Sequence, residues 1–414
     1  VFDQDVAMTL VVGSRGILSL ALAGLATAQG EIKPFPKIDP YTKDAPDAKT
    51  KAGYASFGPF RFGDAPTTAQ VEETLGGLPM IWVETEHFKL GSGLPEYTIP
   101  DDKREKERLK GELERLATRL PDVKTKLKKL DPWLRLHLYA QRLEDLYAKF
   151  LVEFGLQESE FPTAPPDPKK KSRAPYMGEG RYLGMSSKFT VLLFDKKSAH
   201  ARYSSVHLGQ QLQGPTRFYF STIDSWLFVT ANEFLEGLYA NDSALACDVT
   251  SGVSQNLALG FRGYKVGLPF AISEGIAHWF SRQFDPRYHI FSGFDQSKLN
   301  IKEEWDWAPL VRVRVDHDVF PTLDQMLAWD NAETLEWADH LMLWSRIDFL
   351  LAREDDLAGK LLYALKEPPA TRTDGTPAAL AAGARSAFER VTGGDLAKLD
   401  AEWSEWVLKT YPKK

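Results

Sequence analysis

The sequence predicts an α+β chain with a small sheet and a helical C-terminal half. Three observations carry this expectation. Strand-like runs are few: "PMIWVETEHFKLGS" (79–92), "KFTVLLF" (188–194), "TRFYFST" (216–222) and "SWLFVTA" (225–231). From Asn241 onward, apolar residues recur at helical spacing. The 414 residues are 43% hydrophobic, enough to build a packed core for one large domain or two modest ones.

Taken in order, the chain opens on a pattern of its own. Arg15 is followed by an apolar run over 17–26, and Ala26-Thr27-Ala28 precedes Gln29. Basic flank, short apolar run and small residues predict a signal peptide over 1–28. That implies an exported bacterial protein, periplasmic, cell-surface or secreted. No later run of about twenty apolar residues follows, so no membrane-spanning segment is expected in the mature chain. Residues 29–78 begin rich in Pro, Lys, Asp and Gly and are expected to form an extended N-terminal arm. The main domain then runs over 79–367, with a Pro- and Lys-rich loop at 160–181, and a helical extension fills 368–414.

Within the domain, the partly alternating 79–92 segment reads as a strand. Charge pairs at i,i+4 predict a helix over 103–120, interrupted by Pro121. A strong amphipathic helix follows over 131–156, with Asp131 as N-cap and Pro132 in its first turn. Lys169, Lys170, Lys171 and Arg173 make a basic run that reads as solvated loop rather than a docking patch. "KFTVLLF" is a continuous apolar run, as a buried strand requires, and "SAHARYSSVHLG" is a short helix. Helices are expected from Asn241 to about Phe261 and over 269–284, then an aromatic loop. "TLDQMLAW", "AETLEWADHLMLWSRIDFLLAR", "LAGKLLYALKE" and "DLAKLDAEWSEWVLKTY" complete the helical half.

Charge and cysteine content exclude whole classes of function. Lys plus Arg number 51 and Asp plus Glu 57, a net charge of −6, which gives no general attraction to nucleic acid. The single cysteine, Cys247, cannot form an internal disulfide and reads as a small buried hydrophobe. No G-x-S-x-G, S-x-x-K, P-loop or dinucleotide-binding glycine pattern is present.

The words "ETEHFKL", "KFTVLLFDKKSAHARY", "LPFAISEGIAHWF", "FPTLDQMLAWDN" and "ADHLMLWSRIDFLLAR" come in an order that resembles the gluzincin, or peptidase MA-like, zinc metallopeptidases. The likeness runs from about Trp82 to Glu367, and "LPFAISEGIAHWF" is its most specific part. It implies a zincin-like fold, with a small mixed sheet in front of the helices. In an active member, two histidines at i and i+4 on one helix hold zinc, and the glutamate after the first is the general base. A glutamate on the next helix is the third ligand. Transferred to this chain, those roles fall on Gln255, Leu259, Asn256 and Glu274 respectively, and only Glu274 keeps the family's residue.

The substitutions remove the chemistry. Leucine has no lone pair for a metal, a glutamine oxygen is a poor zinc ligand beside imidazole, and an amide cannot accept a proton near neutral pH. None of the eight histidines begins an H-E-x-x-H or an inverted H-x-x-E-H, so the loss does not depend on alignment. The expectation is therefore a noncatalytic, pseudoenzyme metallopeptidase-like domain without a cofactor. It would bind a peptide or protein partner, or act as a scaffold, through a cleft at Gln255, Asn256, Glu274 and His278.

Two alternatives stand beside this expectation. Glu274 and His278 share a helix face and could, with His289 or Asp285, hold a metal in an active hydrolase; zinc is expected only there. Glu303, Glu304 and Asp306 lie among Trp305 and Trp307, a pairing of acids and rings that suits a glycan-binding rim. Asp316, His317 and Asp318 could not converge from a strand and read as a surface turn.

Overall fold

A computed structural model describes residues 34–64, 66–163, 176–235, 241–264, 266–291, 305–332, 334–367, 376–394 and 396–414. The α+β class holds, with a small mixed sheet and a helical second half. The signal-peptide segment 1–28, the basic run at 169–173 and Glu303 and Glu304 lie outside the described residues. Among those described, no helix is long and apolar enough to cross a membrane.

The N-terminal region is less extended than its composition suggests. It carries α1 (Pro46–Ala52) and α2 (Thr68–Thr74), and Thr67 and Gln70 close a capping box on the second. The segment also docks on the domain. Asp39 and His137 are fully buried and meet at 3.1 Å, Tyr54 hydrogen-bonds the other ring nitrogen of His137 at 2.9 Å, and Trp133 Nε1 donates to Pro36 O at 2.8 Å.

The 79–92 segment is two strands, β1 (Ile81–Glu84) and β2 (Phe88–Ser92), paired antiparallel. A small ribbon of β3 (Tyr97–Thr98) and β4 (Lys129–Leu130) flanks α3 (Lys103–Ala117). Next comes α4 (Pro132–Glu153), where Asp131 accepts from Leu134 N at 3.1 Å, the N-cap bond its sequence predicts. The sheet is completed by β5 (Phe189–Phe194), β6 (Thr216–Phe220) and β7 (Ser225–Ala231), with α5 (Lys197–His207) between β5 and β6.

Strand order is β1-β2-β5-β7-β6, with β2, β5 and β7 parallel and the two outer pairs antiparallel. The unbroken apolar character of β5 follows from its central place. Phe189, Val191 and Leu193 face the main core with α4, whereas Leu192 and Phe194 face a second core with Ala199 and Tyr203 of α5.

The helical half begins with α6 (Asp242–Gly260) and α7 (Phe270–Phe284), which pack on each other, and α6 also lies against β7. A Cβ at Gly252 would stand 2.1 Å from Phe228 of β7, so the close approach of helix to sheet needs glycine there. Then come α8 (Trp307–Asp316), α9 (Leu323–Leu327), α10 (Trp337–Leu351), α11 (Leu357–Leu365), α12 (Pro377–Thr392) and α13 (Leu396–Thr410). The aromatic loop expected after α7 therefore holds a helix, α8, built on Trp307, Val311 and Val315 at i, i+4, i+8.

The turn from α6 to α7 is fastened by a buried lysine. Lys366 Nζ donates to Leu259 O at 2.7 Å, to Gly263 O at 3.2 Å and to Val266 O. Lys366→Met would remove three donors from this turn at once. We expect a loss of about 2 kcal/mol in urea unfolding. An unchanged midpoint would mean that water replaces the ammonium without cost.

Candidate functional site

The site is built where α6, α7 and α10 meet. Gln255 sits on α6 and Glu274 on α7, and Gln255 Nε2 donates to Glu274 Oε2 at 2.8 Å. The two positions expected to face one another do so. Asn256 is also buried, and its Oδ1 has no hydrogen-bond partner among the described residues. Leu259 is half-buried, and its side chain packs against the main core.

One turn beyond Glu274, His278 points to the same place, as i,i+4 spacing requires. Its Nε2 lies 3.5 Å from Glu274 Oε1. The residue that completes the group is His340, on α10. Its Nδ1 is 2.9 Å from His278 Nε2 and 4.0 Å from Glu274 Oε1. Glu274, His278 and His340 are 2%, 1% and 0% exposed. The approach of α10 to α7 depends on Gly275, where a Cβ would lie 2.7 Å from Ile347 Cγ1 and 2.8 Å from Leu343 O.

Burial sets the charge state of both rings. It pushes His278 well below the usual imidazole range, and His340, Arg282 and His289 push in the same direction. His340 falls to about 4 for the same reason, loss of solvation. Both are neutral near pH 7, each with one ring nitrogen bearing a lone pair.

The partners suggested by sequence for His278 are engaged elsewhere. Asp285 accepts from Arg287 Nη2 at 2.7 Å and from Arg108 Nη1 at 3.3 Å. His289 stacks on Trp307, with ring centroids 5.5 Å apart and planes 4° from parallel. Arg282 lies 3.8 Å over the opposite partner of that stack, the Trp307 ring, and donates to the carbonyls of Pro286 and Trp305. Trp307 is 1% exposed, which takes it away from any solvent-facing rim. Trp305 is half-buried with Arg104 over its ring, and Asp306 is exposed. Asp316, His317 and Asp318 are exposed at the end of α8, the surface turn expected of them.

No match is found among protein-family models, curated proteins or solved structures. The site must therefore be read from its own geometry.

His340 was not a candidate by sequence. Its signal is a histidine amid the apolar run of "ADHLMLWSRIDFLL", where an unsatisfied imidazole would be costly. Nothing local says that its partner stands 62 positions earlier. Strand β6 is an edge of the sheet, because β7 lies between β5 and β6 and is internal. Helix α6 touches β6, and Glu274 acts electrostatically on Arg217 of that strand.

Proposed function

We propose that this chain is a noncatalytic relative of the zinc metallopeptidases that binds an extended peptide or protein segment along β6. The observation that carries the reading is the Gln255–Glu274 hydrogen bond. It stands where a catalytic zinc of that family would need an imidazole and a carboxylate, with the amide of Asn256 in place of a base. A glutamine–glutamate pair with a neighbouring asparagine neither activates water nor accepts its proton. The capacity to hold peptide does not need the metal. An edge strand offers main-chain donors and acceptors on one side, and an added strand satisfies them. Tyr219 of β6, Trp226 of β7 and Tyr264 form an aromatic cluster beside this edge, and Tyr264 is 42% exposed. Such rings suit the side chains of an apolar or aromatic peptide.

Titration calorimetry with a panel of extended peptides tests this. The expected result is saturable binding that is lost when alternate peptide amides are N-methylated, with the peptide recovered uncleaved. A flat response across the panel, or cleavage of the peptide by protein free of contaminating protease, counts against the reading.

A further inference from the structure

The geometry points to a metal site: Glu274, His278 and His340 hold a divalent ion of the zinc type between α7 and α10. The three atoms concerned are Glu274 Oε1, His278 Nε2 and His340 Nδ1, all within 4.8 Å of one another. Their separations are 2.9, 3.5 and 4.0 Å. Ligands on a tetrahedral zinc, with bonds of about 2 Å, stand roughly 3.4 Å apart. The point equidistant from these three atoms lies in their plane, about 2 Å from each, a zinc–ligand bond length; a tetrahedral ion stands out of that plane and draws the three atoms slightly together.

The chemistry of the donors agrees. Two neutral imidazoles and one carboxylate suit zinc and its first-row neighbours far better than calcium or magnesium, which prefer oxygen throughout. Desolvation keeps both rings unprotonated near neutral pH, as a ligand must be. The shared hydrogen bond between His278 and His340 needs one proton on one of the two facing nitrogens. On binding, the ring that carries it moves that proton to its outer nitrogen. Both inner lone pairs then face the ion.

Gln255 takes a new role here. Its amide holds Glu274 Oε2 at 2.8 Å and so turns Oε1 toward the histidines. It orients a ligand instead of being one. The surroundings are apolar and aromatic. Phe291 lies 4.5 Å from the His340 ring and 5.6 Å from that of His278, and Trp307 lies 5.5 Å from His278, centroid to centroid. Two cations lie near: Arg282 is stacked on Trp307 and donates to two carbonyls, and Arg217 of β6 interacts electrostatically with Glu274. An ion in this place joins α7 to α10 inside the core; it is structural. This inference does not rest on peptide binding, and its test does not report on it.

The test uses the full chain stripped with a chelator and titrated with Co(II), then with Zn(II). Expected are one equivalent bound, a visible cobalt absorption band more intense than that of the hydrated ion, and a zinc-dependent rise of several degrees in Tm. X-ray absorption of the zinc form should show two imidazoles. His278→Gln and His340→Gln should each abolish the band. His87→Gln should leave it intact, since that substitution removes the half-exposed Glu86, His87 and Glu158 cluster instead. No binding by wild type overturns the proposal. So does binding that survives both glutamine variants or vanishes in His87→Gln. Should the glutamine variants fail to fold, the wild-type absorption spectrum decides alone: a metal shell without two imidazoles overturns the proposal.

Discussion

Asp242→Ala is expected to cost about 3–5 kcal/mol, because it leaves buried guanidinium groups without their carboxylate. Asp242 opens α6, just after the N-cap Asn241, whose Oδ1 accepts from Ala244 N at 2.8 Å. Its Oδ1 accepts from Arg135 Nη2 at 3.0 Å and its Oδ2 from Arg142 Nη1 at 2.8 Å. Arg142 also donates from Nη2 to Glu112 at 2.8 Å and from Nε at 3.1 Å. Asp242, Arg135, Arg142 and Glu112 are all buried. Arg142 would keep Glu112, but Arg135 would keep Pro95 O, at 2.8 Å, and no carboxylate among the described residues.

The pH dependence of this group has a definite sign. Burial alone would raise the Asp242 carboxyl, but Arg142 and Arg135 outweigh it and hold the group well below the usual carboxylate range. A depressed folded-state value contributes stability that is present above the unfolded value of about 4 and lost as pH falls through the folded one. Wild type should therefore weaken in acid below about pH 4, and Asp242→Ala should lack this part of the acid limb. Urea unfolding at pH 7 measures the loss. A cost under about 1 kcal/mol would mean that water reaches the guanidinium groups and that the cluster is not sealed.

That network shows where sequence reading stops. The N-cap Asp131 and the first-turn Pro132 of α4 are adjacent letters with a fixed local meaning, and the structure places them as read. Arg135 and Arg142 on the same helix look like ordinary solvated charges, yet both are buried against Asp242, which arrives from 107 and 100 positions away. The candidate site divides in the same way. Glu274 and His278 were legible together through helical spacing, and Gln255 through its place on the preceding helix. His340 was not, because only the packing of α10 on Gly275 brings it in. Trp305 and Trp307, set among acids, looked like a platform for sugar. Trp307 instead stacks with His289 beneath Arg282, a use that composition cannot distinguish from the first. The N-terminal region departs from its composition for a related reason: Pro and Lys mark its surface, but contacts of Asp39 and Tyr54 with His137 and of Pro36 with Trp133 hold it to the domain.

The second large effect lies on the same helix and has the opposite sign. Asp248 is 3% exposed, and its Oδ2 bonds Thr230 Oγ1 of β7 at 2.6 Å. Burial pushes its carboxyl up to about 7, and the Thr230 bond offsets only part of that. A carboxyl raised in the folded state contributes stability that is complete below the unfolded value of about 4. This contribution declines as pH rises to about 7 and changes little beyond. Asp248→Asn keeps the shape and a polar contact to Thr230 without any charge to bury. The variant should nearly match wild type at pH 4 and exceed it by about 4 kcal/mol at pH 8. Denaturant midpoints at the two pH values, with an unchanged slope, would show it. A variant no more stable than wild type at pH 8 would mean that Asp248 ionises in place with a cation or water beside it. Asp242 stabilises α6 above about pH 4, whereas Asp248 opposes its burial increasingly from there to about pH 7 and fully above it. The helix that carries Gln255 should thus be held most firmly in mildly acidic solution, and Asp248→Asn should move that maximum toward neutral pH.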